Sequence, residues 1–199
     1  PGVLSGDLGR CGGPFGFGAG PVAKADYIVI ESTDGDRTHP KLDPMEQLAE
    51  VIGRTVRRGG TVIIPAFAVG RTQLILYHIW MLKKAGRLQN VAIYLDSPMA
   101  IDATELFCKH AYCHKLSKTQ SLNACHVAKY VHDSEDSKAL DYDQMPKIII
   151  AASGMATGGR VLHHLKFYVP DARNSVLFAG FQAGGTRGAA MVAGIDRIK

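Results

Sequence analysis

Two carboxylates, Asp7 and Glu31, stand where strands would deliver them to a surface crevice. Tyr27-Ile28-Val29-Ile30 is an unbroken apolar run, the pattern of a strand buried on both faces, so Glu31 falls at a strand's carboxyl end. Open α/β sheets form their ligand crevices there, and a carboxylate leaving a buried strand needs a cation, an imidazole or several donors to offset its desolvation. Glu31 can equally cap the turn that follows it. Val3-Leu4 reads as the end of another short strand, which turns at Gly6 and presents Asp7 from a tight loop. The glycine-rich stretch from Cys11 to Pro21 then returns the chain to the sheet, an arrangement that sets Asp7 and Glu31 on one rim. Paired carboxylates suit a hard-cation or zinc site, but they bring none of the imidazoles such a site normally needs.

A second set of residues has the chemistry of anion binding. Three strand-to-helix turns, Phe67 to Gln73, Asp96 to Ala100 and Ser153 to Arg160, share small residues, free N–H groups at a helix start and, in two of them, an arginine. Such turns accept phosphates. Arg71 and Arg160 are therefore candidate phosphate contacts, with ordinary surface salt bridges as the competing reading. His110 and His114, spaced i, i+4 beside Cys108 and Cys113, would share a helix face, but no third ligand is fixed by the local pattern and a helix surface is the expected outcome.

The elements that must position these residues alternate. Met45 to Arg58 has helical apolar spacing and stops at Gly59-Gly60. Thr61 to Pro65 is a buried strand, and a long helix follows it to near Gly86. Val91 to Leu95 is the next strand, Ile101 to Leu116 a helix, Ser117 to Asn123 a polar stretch without periodicity, and Val127 to Val131 a short strand. Asp133 to Ser137 is a solvated helix start or an acidic loop. Lys147 to Ala152 is a strand, Val161 to Tyr168 a helix, and Ser175 to Phe181 a final strand leading into Gln182 to Gly188, which contains Thr186. Helix and strand in repeated succession predict a parallel sheet with right-handed crossovers.

Composition narrows the class. With 199 residues, 46% hydrophobic and 8% aromatic, the chain is long enough to bury a sizeable core. A formal charge of +5 tilts towards an anionic partner such as nucleic acid, although no long Lys/Arg run concentrates it. No apolar stretch approaches the roughly 20 residues that span a bilayer, and no signal peptide is evident, so no membrane role is expected. Cys11, Cys108, Cys113 and Cys125 contain no CxxC pair, and a reduced, cytoplasmic protein fits them best.

Several motifs in order resemble one family. Ser5-Gly6-Asp7-Leu8-Gly9-Arg10, Glu31-Ser32-Thr33, Gly35-Asp36-Arg37 with His39, Ile64 to Gln73, Asp96 to Ala100, and Ala152 to Met155 followed by Gly158-Gly159-Arg160 are similar to the β-CASP nucleases of the metallo-β-lactamase fold. The resemblance implies an α/β fold: a parallel-sheet β-CASP cassette with helices on both faces over residues 42–199, and a remnant of a metallo-β-lactamase αββα domain over 1–41. It implies a zinc-dependent ribonuclease acting on single-stranded RNA. In that reading Asp7 bridges two Zn2+ ions and is catalytic, Glu31 is the catalytic carboxylate beside the metals, and Arg71, Ser153, Gly154, Arg160 and Thr186 contact substrate. The family's His-x-His-x-Asp-His motif lies upstream of Ser-Gly-Asp, and two histidine motifs lie downstream of the region matched here. The expectation is an internal fragment that neither holds two zincs tightly nor cleaves RNA alone, with His39, His163 and His164 not substituting for the missing ligands. Asp34 and Gly184 depart from the pattern, where a Tyr and an acidic residue are usual. A non-catalytic scaffold that binds nucleic acid or protein is the alternative. The missing half would leave exposed strand edges and apolar area, so self-association is also expected.

Overall fold

Apolar runs bounded by glycines and caps become strands and helices in regular succession. In a computed structural model of the chain, which describes residues 1–6, 12–33, 35–36, 38, 42–88 and 90–198, the elements are β1 (Gly2–Leu4), β2 (Tyr27–Val29), α1 (Pro44–Arg57), β3 (Val62–Pro65), α2 (Arg71–Lys84), β4 (Ala92–Asp96), α3 (Pro98–Lys109), α4 (Lys118–Cys125), β5 (Lys129–Tyr130), α5 (Ser134–Tyr142), β6 (Lys147–Ala151), α6 (Val161–Tyr168), β7 (Ser175–Val176) and α7 (Arg187–Val192). Five strands form one sheet in the order β5-β4-β6-β3-β7, and every pairing is parallel.

Alternation along the strands divides the core into two layers. Val62, Ile64, Ile148 and Ile150 pack with Ile52, Leu76 and Ile79 of α1 and α2, whereas Ile63 and Ile149 pack with Leu140, Val161 and Leu165 of α5 and α6. Helices thus cover both faces, which is why the central strand reads as the continuous run Ile148-Ile149-Ile150. Each such fully buried side chain is worth about 1.5–3 kcal/mol of transfer free energy.

Local chemistry sets the boundaries. Asp43 caps α1 by accepting from the Met45 N–H at 2.9 Å, with Pro44 in the first turn. Beyond α1 the chain turns at Gly59 (φ +76°), and a Cβ on Gly60 would lie 1.8 Å from the Arg173 carbonyl oxygen. Only glycine lets these two backbones approach.

Several expectations are corrected. The helix predicted to reach Leu116 ends at Lys109, and Ala111–Cys113 is a separate 3-10 turn, so His110 and His114 do not share a helix face. The His114 ring instead stacks on Phe107 at 4.2 Å, and His110 Nδ1 meets the Tyr112 hydroxyl at 2.9 Å. The polar stretch after Leu116 is α4, started by a reciprocal cap between Ser117 and Gln120. The last strand is shorter than Ser175 to Phe181, and β2 is exposed rather than buried, pairing among the described residues only with β1. Cys108 and Cys125 are joined as a disulfide tying α3 to α4, which corrects the expectation of reduced thiols at these two positions; Cys113 is free and exposed, and Cys11 lies outside the described residues.

Candidate nucleic-acid interface

Because all five strands run the same way, the turns after β3, β4 and β6 emerge at one edge of the sheet. The turn after β3 is held by its own side chains. The Phe67 carbonyl accepts from both the N–H and the hydroxyl of Thr72, while Gln73 accepts from the Gly70 N–H and donates to the Ala68 carbonyl and the Thr104 hydroxyl. Gly70 adopts φ +76° and lets α2 begin abruptly at Arg71. Arg71 is exposed, and its guanidinium makes no hydrogen bond or ion pair among the described residues. It is a cation at a helix start, available to an anion from solvent.

The turn after β6 is tighter. Ser153 Oγ accepts from the Thr157 N–H at 3.1 Å, and the Val161 N–H returns to the Ala152 carbonyl. Gly159 has φ +74°, and a Cβ there would lie 2.5 Å from the Ala152 oxygen. Gly154 abuts the Phe67 ring, and its carbonyl accepts from Gln182 Nε2 at 3.1 Å. The nearby Gly188 N–H binds the Met155 carbonyl, bringing the start of α7 to the same turn. Thr186 caps α7: its hydroxyl accepts from the Ala189 N–H and donates to the Ala183 carbonyl. Ser153, Gly154 and Thr186 are therefore brought near one edge, with the Ser153 and Thr186 hydroxyls engaged in local bonds.

Arg160 has a different occupation from Arg71. Its Nη1 donates to Asp96 Oδ1 at 2.7 Å and to the Val131 carbonyl at 3.0 Å, and its Nη2 donates to the His132 carbonyl at 2.7 Å. The salt-bridge reading describes these contacts. Asp96, at the end of β4, is fully buried, and its Oδ2 accepts from the Ser137 hydroxyl and from His164 Nε2 at 2.7 Å. The other His164 nitrogen, Nδ1, lies 2.6 Å from Asp141 Oδ1. A neutral imidazole carries one N–H, so two carboxylates at hydrogen-bond distance require the doubly protonated ring. Burial opposes that charge, but the bonds to Asp141 and Asp96 overcome it and raise His164 from 6.5 to about 9. Burial likewise opposes ionised Asp96, and its bonds to His164, Ser137 and Arg160 still hold its carboxyl below the usual range. Sequence reading missed this network because its members are 64 and 68 residues apart.

Glu31 is exposed; its carboxylate accepts from the Thr33 N–H at 2.9 Å, and its own N–H donates to Ser5 Oγ. That is the turn-capping arrangement. Asp7, Asp34 and His39 lie outside the described residues. Among the described residues no group of three or more His, Cys, Asp or Glu side chains is placed to hold a metal ion. The residues described do not by themselves fit a zinc site, and no chemical step is derived through one.

A parallel α/β cassette with glycine-rich turns and an exposed arginine at its strand ends defines a class of crevice-forming domain. The chain belongs, more particularly, to the Beta-Casp domain family, whose profile matches residues 72–191. It is 37% identical to Ribonuclease TTHA0252 of Thermus thermophilus over 199 residues, covering 96% of this chain and 46% of that protein. It is 35% identical to transcription termination factor FttA of Thermococcus kodakarensis (88% of this chain, 28% of the relative) and 34% identical to an RNase J-like protein of Methanocaldococcus jannaschii (89% and 42%). Two of these relatives bear the names of ribonucleases and one that of a transcription termination factor. The chain spans less than half the length of each of these relatives.

Proposed function

We propose that this chain is the RNA-holding cassette of a metal-dependent ribonuclease, with residues 42–199 as the cassette and 1–41 as part of the metallo-β-lactamase domain. The complete protein would hydrolyse phosphodiester bonds in single-stranded RNA in the cytoplasm as a metal-dependent enzyme, zinc being the metal this reading favours, with Asp7 as one of the residues that would hold it and Glu31 beside the site. The cassette alone is inactive and contributes positioning. Helix-start N–H groups and Arg71 hold phosphates without reading bases, and the buried Asp96 network fixes the turns from behind. Arg71, which makes no bond among the described residues, at the common edge of three strand-to-helix turns carries this reading.

Fluorescence anisotropy of a labelled single-stranded RNA, titrated with the chain at several salt concentrations, tests it. Binding should weaken with salt, and Arg71→Ala should reduce the slope of log K against log salt by about 1. A slope unchanged by the substitution would remove Arg71 from the interface.

A further inference from the structure

Arg71 opens onto a cleft of about 1150 Å³, between residues 12–16, the first turns of α1 and α2, and the ends of β3 and β7. Its walls are apolar and aromatic, with Phe15, Phe67, Val69 and Phe178 among them, and none of the described residues that line it is a carboxylate. His78 also lines it, and burial pushes that imidazole down from 6.5, so it adds no charge at neutral pH. Arg71 supplies the charge of this wall.

Phe67 is the exposed ring among them, 48% exposed where Phe15 and Phe178 are partly buried. Its position is nevertheless fixed. Thr72 holds its carbonyl from two donors, and a Cβ on Gly154 would lie 2.7 Å from its Cδ2 and 2.9 Å from its Cε2, so one edge of the ring rests on the Gly154 backbone. The glycine in the turn after β6 thus acts as the support that lets the ring stand at the rim. A fixed, half-exposed ring four residues from an exposed arginine that makes no bond among the described residues has the two parts of a single-strand contact, a stacking surface and a cation for the backbone.

We propose that Phe67 and Arg71 form a seat for one nucleotide of a single strand, with the Phe67 ring stacked on the base and the Arg71 guanidinium on the adjoining phosphate. The seat rests on the RNA-holding reading above and adds a base-contacting residue to it. Stacking on a π-face tolerates any base, so the seat favours strands that carry bases over bare backbone without selecting a sequence.

The test compares anisotropy titrations of the 199-residue chain with a labelled oligouridylate and with an abasic strand of the same length. The wild type should prefer the base-bearing strand. Phe67→Leu, which keeps an apolar side chain at the rim, should weaken oligouridylate binding about tenfold and leave the abasic strand unaffected. Phe67→Trp should retain the preference, and Arg71→Ala should weaken both strands by the same factor. Gly154→Ala, which displaces the ring without altering it, should reproduce the Phe67→Leu loss. Thermal unfolding of each variant checks that the fold is retained. A Phe67→Leu protein with wild-type affinity and the wild-type ratio between strands overturns the seat while leaving RNA binding intact. A wild type that binds neither strand at low salt overturns the RNA-holding reading itself, and the seat with it.

Discussion

Replacing His164 with Gln should remove a pH dependence that the wild type shows between pH 6.5 and 9. His164 is fully buried between Asp96 and Asp141, and their bonds raise it from 6.5 to about 9. The folded state therefore keeps a proton through this window that the unfolded state has released. The resulting stability is fully present below pH 6.5 and is lost as the pH rises through about 9. At 1.36 kcal/mol for each tenfold difference in proton affinity, the contribution is about 3 kcal/mol, a large part of the roughly 5–15 kcal/mol that stabilises a domain. The assay is urea unfolding of wild type and His164→Gln at half-unit steps from pH 6 to 10. Near pH 6 the variant should be less stable by about 3 kcal/mol, with the gap closing as the wild type loses its proton. The buried tyrosines stay silent in this range, because burial pushes Tyr130 up to about 12 and Tyr168 further still. Burial lowers Lys147, which is present in both proteins and cancels in the difference. A gap that stays constant from pH 6.5 to 9 would refute the bridging imidazolium.

Two further outcomes follow from the packing. Gly60→Ala would drive a methyl group into the Arg173 carbonyl, 1.8 Å from its ideal position, and should cost about 3 kcal/mol in urea unfolding; an unchanged midpoint would contradict the close approach. Leu4, Tyr27, Ile28, Val29 and Ile30 are all more than half exposed on the small β1–β2 sheet, so sedimentation should show concentration-dependent self-association that Ile28→Asp reduces, whereas a single monomeric species at high concentration would exclude it.

The layered fold was legible where burial on both faces leaves a continuous signature. Ile148-Ile149-Ile150 has no polar face to hide, and α6 matches its apolar spacing from Val161 to Tyr168. Helix α4 was not legible, because its buried side includes Ser121, Ala124 and Cys125 rather than large apolar residues, and the usable signal was the Ser117-x-x-Gln120 cap. The three turns could be placed on one edge from the helix–strand alternation that implies a parallel sheet, but the difference between Arg71 and Arg160 could not be read that way. Arg160 is held by Asp96 and by the β5 end, and nothing within its own segment announces a partner 64 positions away. His164 was silent for the same reason, since a histidine on an apolar helix carries no mark of the carboxylates it meets. Phe67 stood inside a recognised motif, yet its exposure depends on contact with Gly154 from another strand's turn.

The strand order also constrains when this molecule can fold during synthesis. β3 is flanked by β6 and β7, and β4 by β5 and β6, so β3 and β4, although consecutive along the large sheet's path, never touch as neighbours. A nascent chain that has not yet delivered Lys147 to Ala151 leaves both edges of β3 open and separates it from β4 by a vacant lane. β6 fills the lane between two strands made long before it, and β7 then closes the far edge of β3, so the five-stranded sheet is complete only after both have followed α5 out. Until then the aliphatic faces of α1 and α2 have only half a floor to rest on.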